Sequence, residues 1–133
     1  MRTFAYLDAW TMDEITRLQS EVLKVLANPV RLEIIHRLAE GAIDVGGLAA
    51  AIGASQPNVS QHLAVLRAAG LVEPERHGRA TRYRLTDPDV ILACGVMRGV
   101  LRRRLERLAS LATATPVATN HDPARAFQLL ARS

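Results

Sequence analysis

Hydrogen-bonding side chains gather in the run Ser55-Gln56-Pro57-Asn58-Val59-Ser60-Gln61-His62. Two chemistries could use them. Nucleophilic catalysis would pair Ser55 or Ser60 with His62, but it needs a carboxylate to orient the imidazole, and none adjoins them. Reading a nucleic-acid base needs an amide or hydroxyl on a rigid support. Glutamine can bond adenine through two atoms at once, and serine can bond a base edge or a phosphate. A second group, Arg76, His77, Arg79, Arg82 and Arg84, supplies cationic donors suited to phosphate. No nucleophile–base pair, phosphate-cradling loop or metal cluster is seen in the chain, so an enzyme is not expected, nor is a cofactor. Asn58-Val59-Ser60 matches a glycosylation sequon, which has no meaning inside a helix of a cytoplasmic protein.

The elements that must position these residues follow from apolar spacing and stop signals. Thr11 or Asp13 can cap a helix over 13–27, with Ile15, Leu18, Val22 and Val25 or Leu26 at helical steps. Asn28-Pro29 ends it, because the ring of Pro29 disfavours a helical residue before it. A second helix from Pro29 carries Leu32, Ile35 and Leu38 and stops at Gly41. Asp44 caps a short third helix with Leu48 and Ile52, ended by Gly53. Ser55 caps a fourth, with Pro57 in its first turn, Val59, Leu63 and Leu66 as its buried stripe, and Gly70 as its stop. Leu71–Arg76 and Thr81–Leu85 read as two strands around a turn at His77-Gly78. A last helix runs from near Pro88 to about Leu111.

At about 100° per residue, Val59, Leu63 and Leu66 share one face of the fourth helix, and Gln56, Ser60, Gln61 and Ala64 point away from it. Arg67 lies on the Gln56 edge, where it would grip a phosphate. Arg82 and Arg84 alternate with Tyr83 and Leu85 and so share the outward side of their strand. A helix, a tight turn at Gly53-Ala54 and a capped helix, followed by a basic hairpin, form the layout of a winged helix-turn-helix. The expected class is mainly α with a small β-hairpin. The residues expected to face DNA are Ser55, Gln56, Asn58, Ser60, Gln61, Arg67, Arg76, His77, Arg79 and Arg82.

Composition bounds the rest. The chain has 133 residues, 49% of them hydrophobic and 23% charged, which fits one globular domain with a short arm or tail. Its net charge of +4 is unevenly spread: residues 1–54 sum to −2, residues 55–84 to +3 and residues 98–107 to +4. Arg102, Arg103 and Arg104 are consecutive and fan around a helix, so the last zone also reads as a solvated face. A single cysteine, Cys94, excludes an internal disulfide framework. No run approaches a membrane span, and Met1–Trp10 lacks the pattern of a secretory signal, so a cytoplasmic protein without membrane partners is expected.

On the last helix Val90, Cys94, Met97, Leu101, Leu105 and Leu108 recur at steps of three and four, a stripe that needs an apolar partner along its length. Paired with Ile15, Leu18 and Val22 of the first helix, it predicts a homodimer. The expected division is an N-terminal arm over 1–12, a DNA-binding and dimerisation domain over 13–111, and a flexible tail over 112–133. Phe4, Tyr6 and Trp10 concentrate aromatics in the arm, where they would pack on the partner or line an apolar effector pocket.

The stretches LANPVRLEIIHRLAEG and VGGLAAAIGASQPNVSQHLAVLRAAGLVEPERHGRATRYRL resemble the arsenic-repressor (ArsR/SmtB) family of bacterial transcription factors over residues 22–108. The resemblance implies a winged-helix homodimer, joined through its first and last helices, that sits on an inverted-repeat operator and leaves it when an effector binds. It puts the base-contacting sites on Gln56, Ser60 and Gln61. The family's metal patterns are not matched. Val45-Gly46-Gly47 stands where one pattern has Cys-x-Cys. Asp87 and Asp89 have no histidine between His77 and His121 to join them. A metal sensor is therefore disfavoured and the effector is left unidentified.

Cys94 has two readings, a redox or thiophilic sensor at the dimer interface or a small buried hydrophobe on the stripe. The absence of an adjoining base favours the second. His36 stands where family persulfide sensors carry a cysteine, and it reads as a rim histidine; His62 reads as a packing or phosphate-contact residue. Two alternatives stay beside the repressor reading. One is a winged-helix regulator answering a small organic ligand or a redox signal, closer to the MarR group. The other is a winged-helix protein-interaction module, which would replace Gln56, Ser60, Arg76 and Arg79 with acidic or apolar residues.

Overall fold

Thr11 starts the first helix through a reciprocal pair of hydrogen bonds in the computed structural model, which describes residues 10–114. The Thr11 Oγ1 accepts from the Glu14 backbone N–H at 3.2 Å, and the Thr11 N–H donates to the Glu14 carboxylate at 2.8 Å. This capping box opens α1, Met12–Leu26, so Thr11 rather than Asp13 is the cap. That backbone bond, and then the Thr11 hydroxyl donating to the same carboxylate at 2.9 Å, hold the Glu14 carboxyl below its ordinary pKa. They support the helix above that ordinary pKa and are lost as the pH falls through the lowered value.

Asn28 caps α2, Pro29–Leu38, by accepting from the N–H groups of Val30 and Arg31 at 3.0 and 3.2 Å. Ile34, Ile35 and Leu38 are its buried residues, and Leu32 is half-buried. Expected and observed stripes differ because α2 packs on several elements at once, which turns a broader face inward than a single-sided surface helix would need.

A short strand, β1, covers Ile43–Asp44 and leads directly into α3, Val45–Ile52. Asp44 does two jobs there. Its backbone pairs with Arg82, and its carboxylate caps α3 by accepting from the Gly47 N–H at 2.6 Å. Gly47 has no room for a side chain: a Cβ would lie 2.9 Å from both the Asp44 carboxylate and the Ile43 side chain. Gly53, at φ +75°, ends α3 in the left-handed conformation that glycine adopts without steric cost.

Ser55 then caps α4, Gln56–Ala68, with its hydroxyl accepting from Asn58 N–H at 3.3 Å. A Schellman motif closes α4. The Leu71 N–H donates to the Leu66 carbonyl, the Gly70 N–H donates to the Arg67 carbonyl, and Gly70 takes φ +76°. Leu71 and Leu66 are both buried, the apolar contact that accompanies this motif.

Strands β2, Val72–His77, and β3, Ala80–Leu85, form the hairpin, and β1 pairs on the other side of β3 to give the antiparallel order β1-β3-β2. The last pair is His77 with Ala80, so Gly78-Arg79 makes the two-residue turn, one position beyond the expected His77-Gly78. Gly78 alone has positive φ, +63°, which is the type II′ pattern suited to twisted strands. The last helix, α5, spans Asp89–Ala114.

Two compact units divide at Cys94 and Gly95. In the first, Ile34, Ile35, Leu38, Leu48, Ala49, Val59, Leu63, Leu66, Leu71 and Val72 form the buried core. No charged or polar residue is buried among the described residues. In the second, residues 95–114 continue α5 and carry an Arg102–Glu106 pair at 3.9 Å. Since α5 reaches Ala114, the segment expected as tail is helical at its first three positions. What was expected of residues beyond 114, and of Phe4 and Tyr6, lies outside the described residues.

Leu66→Ala is expected to remove about 2–5 kcal/mol of stability, because the fully buried side chain leaves a cavity. Asn28→Ala should cost only about 1 kcal/mol, the worth of a helix cap. Urea unfolding at one fixed protein concentration checks this, and equal midpoints for the two variants would contradict the core assignment.

Candidate nucleic-acid interface

The fourth helix sets the geometry of the site. Val59, Leu63 and Leu66 are each 1% exposed or less, which fixes how α4 is rotated about its own axis. With that face committed, Gln56, Ser60, Gln61, Ala64 and Arg67 are all exposed. Ser55 and Asn58 are exposed as well, but they are tied together by the cap bond at the start of α4. The Ala54 N–H donates to the Ala49 carbonyl at 3.1 Å across the tight turn, so α3 and the start of α4 are joined by backbone as well as by packing.

Gln56 lies against the first turn of α3. A Cβ placed on Gly46 would meet its side-chain amide nitrogen at 3.4 Å. The Val45-Gly46-Gly47 stretch, which offers no metal ligand, therefore leaves space for two neighbours. Gly47 admits the Asp44 cap, and Gly46 admits the Gln56 amide.

Ser60, Ala64 and Arg67 share a shallow hollow of about 390 Å³ with Tyr83 of β3. Tyr83 is the residue missed by sequence reasoning. The strand alternation put it opposite Arg82 and Arg84, which is correct, but only the folded chain reveals that this inward side shares the hollow with Ser60, Ala64 and Arg67. Its backbone is also in register with Ile43 and Pro74, between the other two strands.

Charge on the hairpin is sorted by its register. Glu73 stands opposite Arg84 and Glu75 opposite Arg82. Arg84 forms an ion pair with Glu73. Glu75 lies instead 3.2 Å from the His77 Nε2. Arg76, Arg79 and Arg82 are exposed and form no ion pair with another described residue, and the same is true of Arg67. The unneutralised cations thus stand along α4 and the hairpin, while Arg84 and His77 already face carboxylates.

His62 is half-buried and accepts a hydrogen bond from Arg31 Nε at 3.2 Å. Packing is thus its place, and not the exposed surface of α4. Among the described residues, no group of three or more His, Cys, Asp or Glu side chains is placed to hold a metal ion. No helix among them is long and apolar enough to cross a membrane.

The residues expected at the dimer interface divide in two. Val22 of α1 and Val90 of α5 are half-buried against the chain's own core. Ile15 and Leu18 stay about 40% exposed at the surface of the first unit. In the second unit Met97 and Leu105 are about half exposed and Leu101 is half-buried. Cys94 is half-buried and free.

Residues 28–74 match the model of the arsR family of bacterial regulatory proteins. The HTH-type transcriptional regulator Rv0081 of Mycobacterium tuberculosis is 39% identical over 101 residues, covering 74% of this chain and 89% of that one. The chain belongs to the ArsR family. Its members provide close structural counterparts. The Rv0081 crystal structure superposes with a TM-score of 0.65 over 71% of this chain and 96% of that one, at 38% identity. Mb0332 of Mycobacterium bovis, solved as a homodimeric winged helix-turn-helix DNA-binding domain, gives a TM-score of 0.64 at 33% identity, over 70% of this chain and 86% of that one. A biofilm growth-associated repressor of Xylella fastidiosa is 42% identical over 80 residues, 58% of this chain and 70% of its own. Membership makes this ArsR-family chain a DNA-binding transcriptional regulator with a winged helix-turn-helix fold. The family match runs from the Asn28 cap to Pro74 and so covers α4 and the first residues of the hairpin.

Proposed function

We propose that the chain is a homodimeric repressor that inserts α4 into the major groove of an inverted-repeat operator and leaves it when an effector binds. One observation carries the reading. The exposed part of α4, outside the buried Val59, Leu63 and Leu66 face, presents amide, hydroxyl and small side chains together, beside a hairpin whose Arg76, Arg79 and Arg82 are not neutralised. Gln56, Ser60 and Gln61 read base edges, Ala64 leaves room for a thymine methyl, and Arg67 grips a phosphate. Ser55 and Asn58 present the helix start, and Arg76, His77, Arg79 and Arg82 follow the backbone beside the groove. Residues 13–111 form the DNA-binding and dimerisation domain. A second copy covers Ile15 and Leu18 of α1 together with the Cys94, Met97, Leu101 and Leu105 stripe of α5, and Val22 and Val90 back that surface from the core. In this reading Cys94 packs and does not sense, and the protein works in the cytoplasm.

The effector belongs to a class other than a metal held by three thiolates, since a homodimer with one cysteine per chain offers at most two. Cys94→Ser is accordingly expected to leave both DNA affinity and effector release within about twofold of the parent, because the substitution is nearly isosteric at a half-buried position. A larger loss of release in a DNA-release assay with metals and oxidants would assign the sensor to that thiol.

The base-reading assignment is tested with a duplex selected by the parent chain from a random-sequence pool. Gln56→Ala with Ser60→Ala should weaken binding to it by about 10–100-fold and leave a scrambled duplex nearly unaffected, as expected when most of the loss is one bidentate glutamine contact worth about 1–3 kcal/mol. Equal losses on both duplexes would refute base reading. Ion pairing separates the arginines. Arg79→Ala should reduce the slope of log affinity against log salt by about 0.9, while Arg84→Ala, whose charge already faces Glu73, should change it far less. Equal slope changes would contradict that division.

A further inference from the structure

Arg31 lies behind the reading helix, in the first turn of α2, and its guanidinium holds two other helices. Its Nε donates to the Nδ1 of His62 on α4 at 3.2 Å, and its Nη1 donates to the carbonyl of Val25 in the last turn of α1 at 2.8 Å. The three groups are partly buried, which makes both bonds costly to lose. Val25 is among the last four residues of α1, whose carbonyls have no partner within the helix, so Arg31 satisfies an otherwise open acceptor at the negative end of that helix. His62 lies about 200° around α4 from Ser60, on the flank turned from the exposed face. It therefore cannot read a base while Ser60 does.

We propose that Arg31 and His62 are a positioning pair that holds the reading helix to the end of α1 and so ties the operator-reading face to a helix of the dimer interface. Core packing restricts how α4 rotates about its own axis, and its capped ends limit sliding along that axis. A directional bond near the middle of the helix opposes that sliding. Arginine suits the role because its planar fork directs two donors at fixed angles, and a lysine ammonium cannot span both acceptors. The inference rests on the proposal that α4 reads DNA, and it adds residues that touch no base.

The test uses the full chain and the duplex selected by the parent from a random pool, with the scrambled duplex as control. His62→Phe keeps the ring's bulk and removes the acceptor. It should stay folded and dimeric, lose roughly tenfold in affinity for the selected duplex and leave scrambled binding unchanged. His62→Asn restores an acceptor at the same number of bonds from the backbone and should return to within about twofold of the parent. Arg31→Lys should behave like His62→Phe. The proposal is overturned if His62→Phe binds as the parent does, if His62→Asn fails as badly as His62→Phe, or if both duplexes are lost equally. Gln56→Ala with Ser60→Ala separates the two levels. If that variant loses selectivity while His62→Phe does not, only the pair is refuted; if neither does, base reading by α4 falls and takes the pair with it.

Discussion

The burial of Val59, Leu63 and Leu66 is the constraint on which the other features of the molecule depend. Three fully buried aliphatic side chains on one thirteen-residue helix leave α4 a single rotation about its axis, and each contributes about 1.5–3 kcal/mol of transfer free energy. Once that rotation is set, the identities of Gln56, Ser60, Gln61, Ala64 and Arg67 acquire meaning, because all five are left exposed outside the buried face. Both ends of α4 reinforce the arrangement. The Ser55 cap sets where the helix begins, and the Schellman closure at Gly70 turns the chain so that Leu71 and Val72 enter the same core and start the hairpin. Reading face and wing are therefore consequences of one apolar commitment.

Electrostatics refines what packing supplies. A net charge of +3 over residues 55–84 says only that a polyanion is attracted. Strand register decides which cations remain available. Arg84 is opposite Glu73 and paired with it, and His77 faces Glu75, whereas Arg76, Arg79 and Arg82 are left without a carboxylate among the described residues. The acidic side chains thus act as a filter. They concentrate the usable charge near the hairpin tip, where a groove-following contact needs it, and lower it near the base of the wing. Exposed pairs of this type add little to stability, so their main effect is on the field a ligand meets.

Much of this was legible in the residues, and the parts that were not share a cause. Helix boundaries came from Thr11, Asn28-Pro29, Asp44, Ser55 and Gly70, residues whose local chemistry is strong enough to act without tertiary context. The stripe of α4 was legible because it has one core-facing side. Leu32 and Ile34 exchanged places in α2 because a helix packed on several sides buries more than a single periodic stripe shows. Strand β1 left no trace, since two residues carry no alternation, and Asp44 already had a sufficient explanation as a cap. The contacts of Gln56 with Gly46, of Tyr83 with α4 and of His62 with Arg31 join residues 10 to 31 positions apart, and spacing rules within one element do not reach that far. The glycines at 46 and 47 were visible as an absence of ligands, while their positive use needed coordinates.

The exposed apolar side chains supply the final step. Ile15 and Leu18 of α1 stand uncovered at the surface of the first unit, and Met97, Leu105, Leu108 and Leu111 of α5 at that of the second. Leaving such side chains in water forgoes the free energy that buries their neighbours, and exposed apolar side chains gathered on a helix mark an interaction surface. Val22, Val25 and Leu26, later on α1, already pack on the core that α4 shares. A second copy that covers the outer side of α1 therefore presses on a helix whose inner side and last carbonyls are joined to the reading machinery, at Val25 most directly through Arg31. In the proposed dimer, an effector that altered how two copies meet along α1 would change the support of α4 without touching a proposed base-reading residue. Such coupling needs no metal and no reactive thiol, only two dimer arrangements that differ in how they hold the end of one helix.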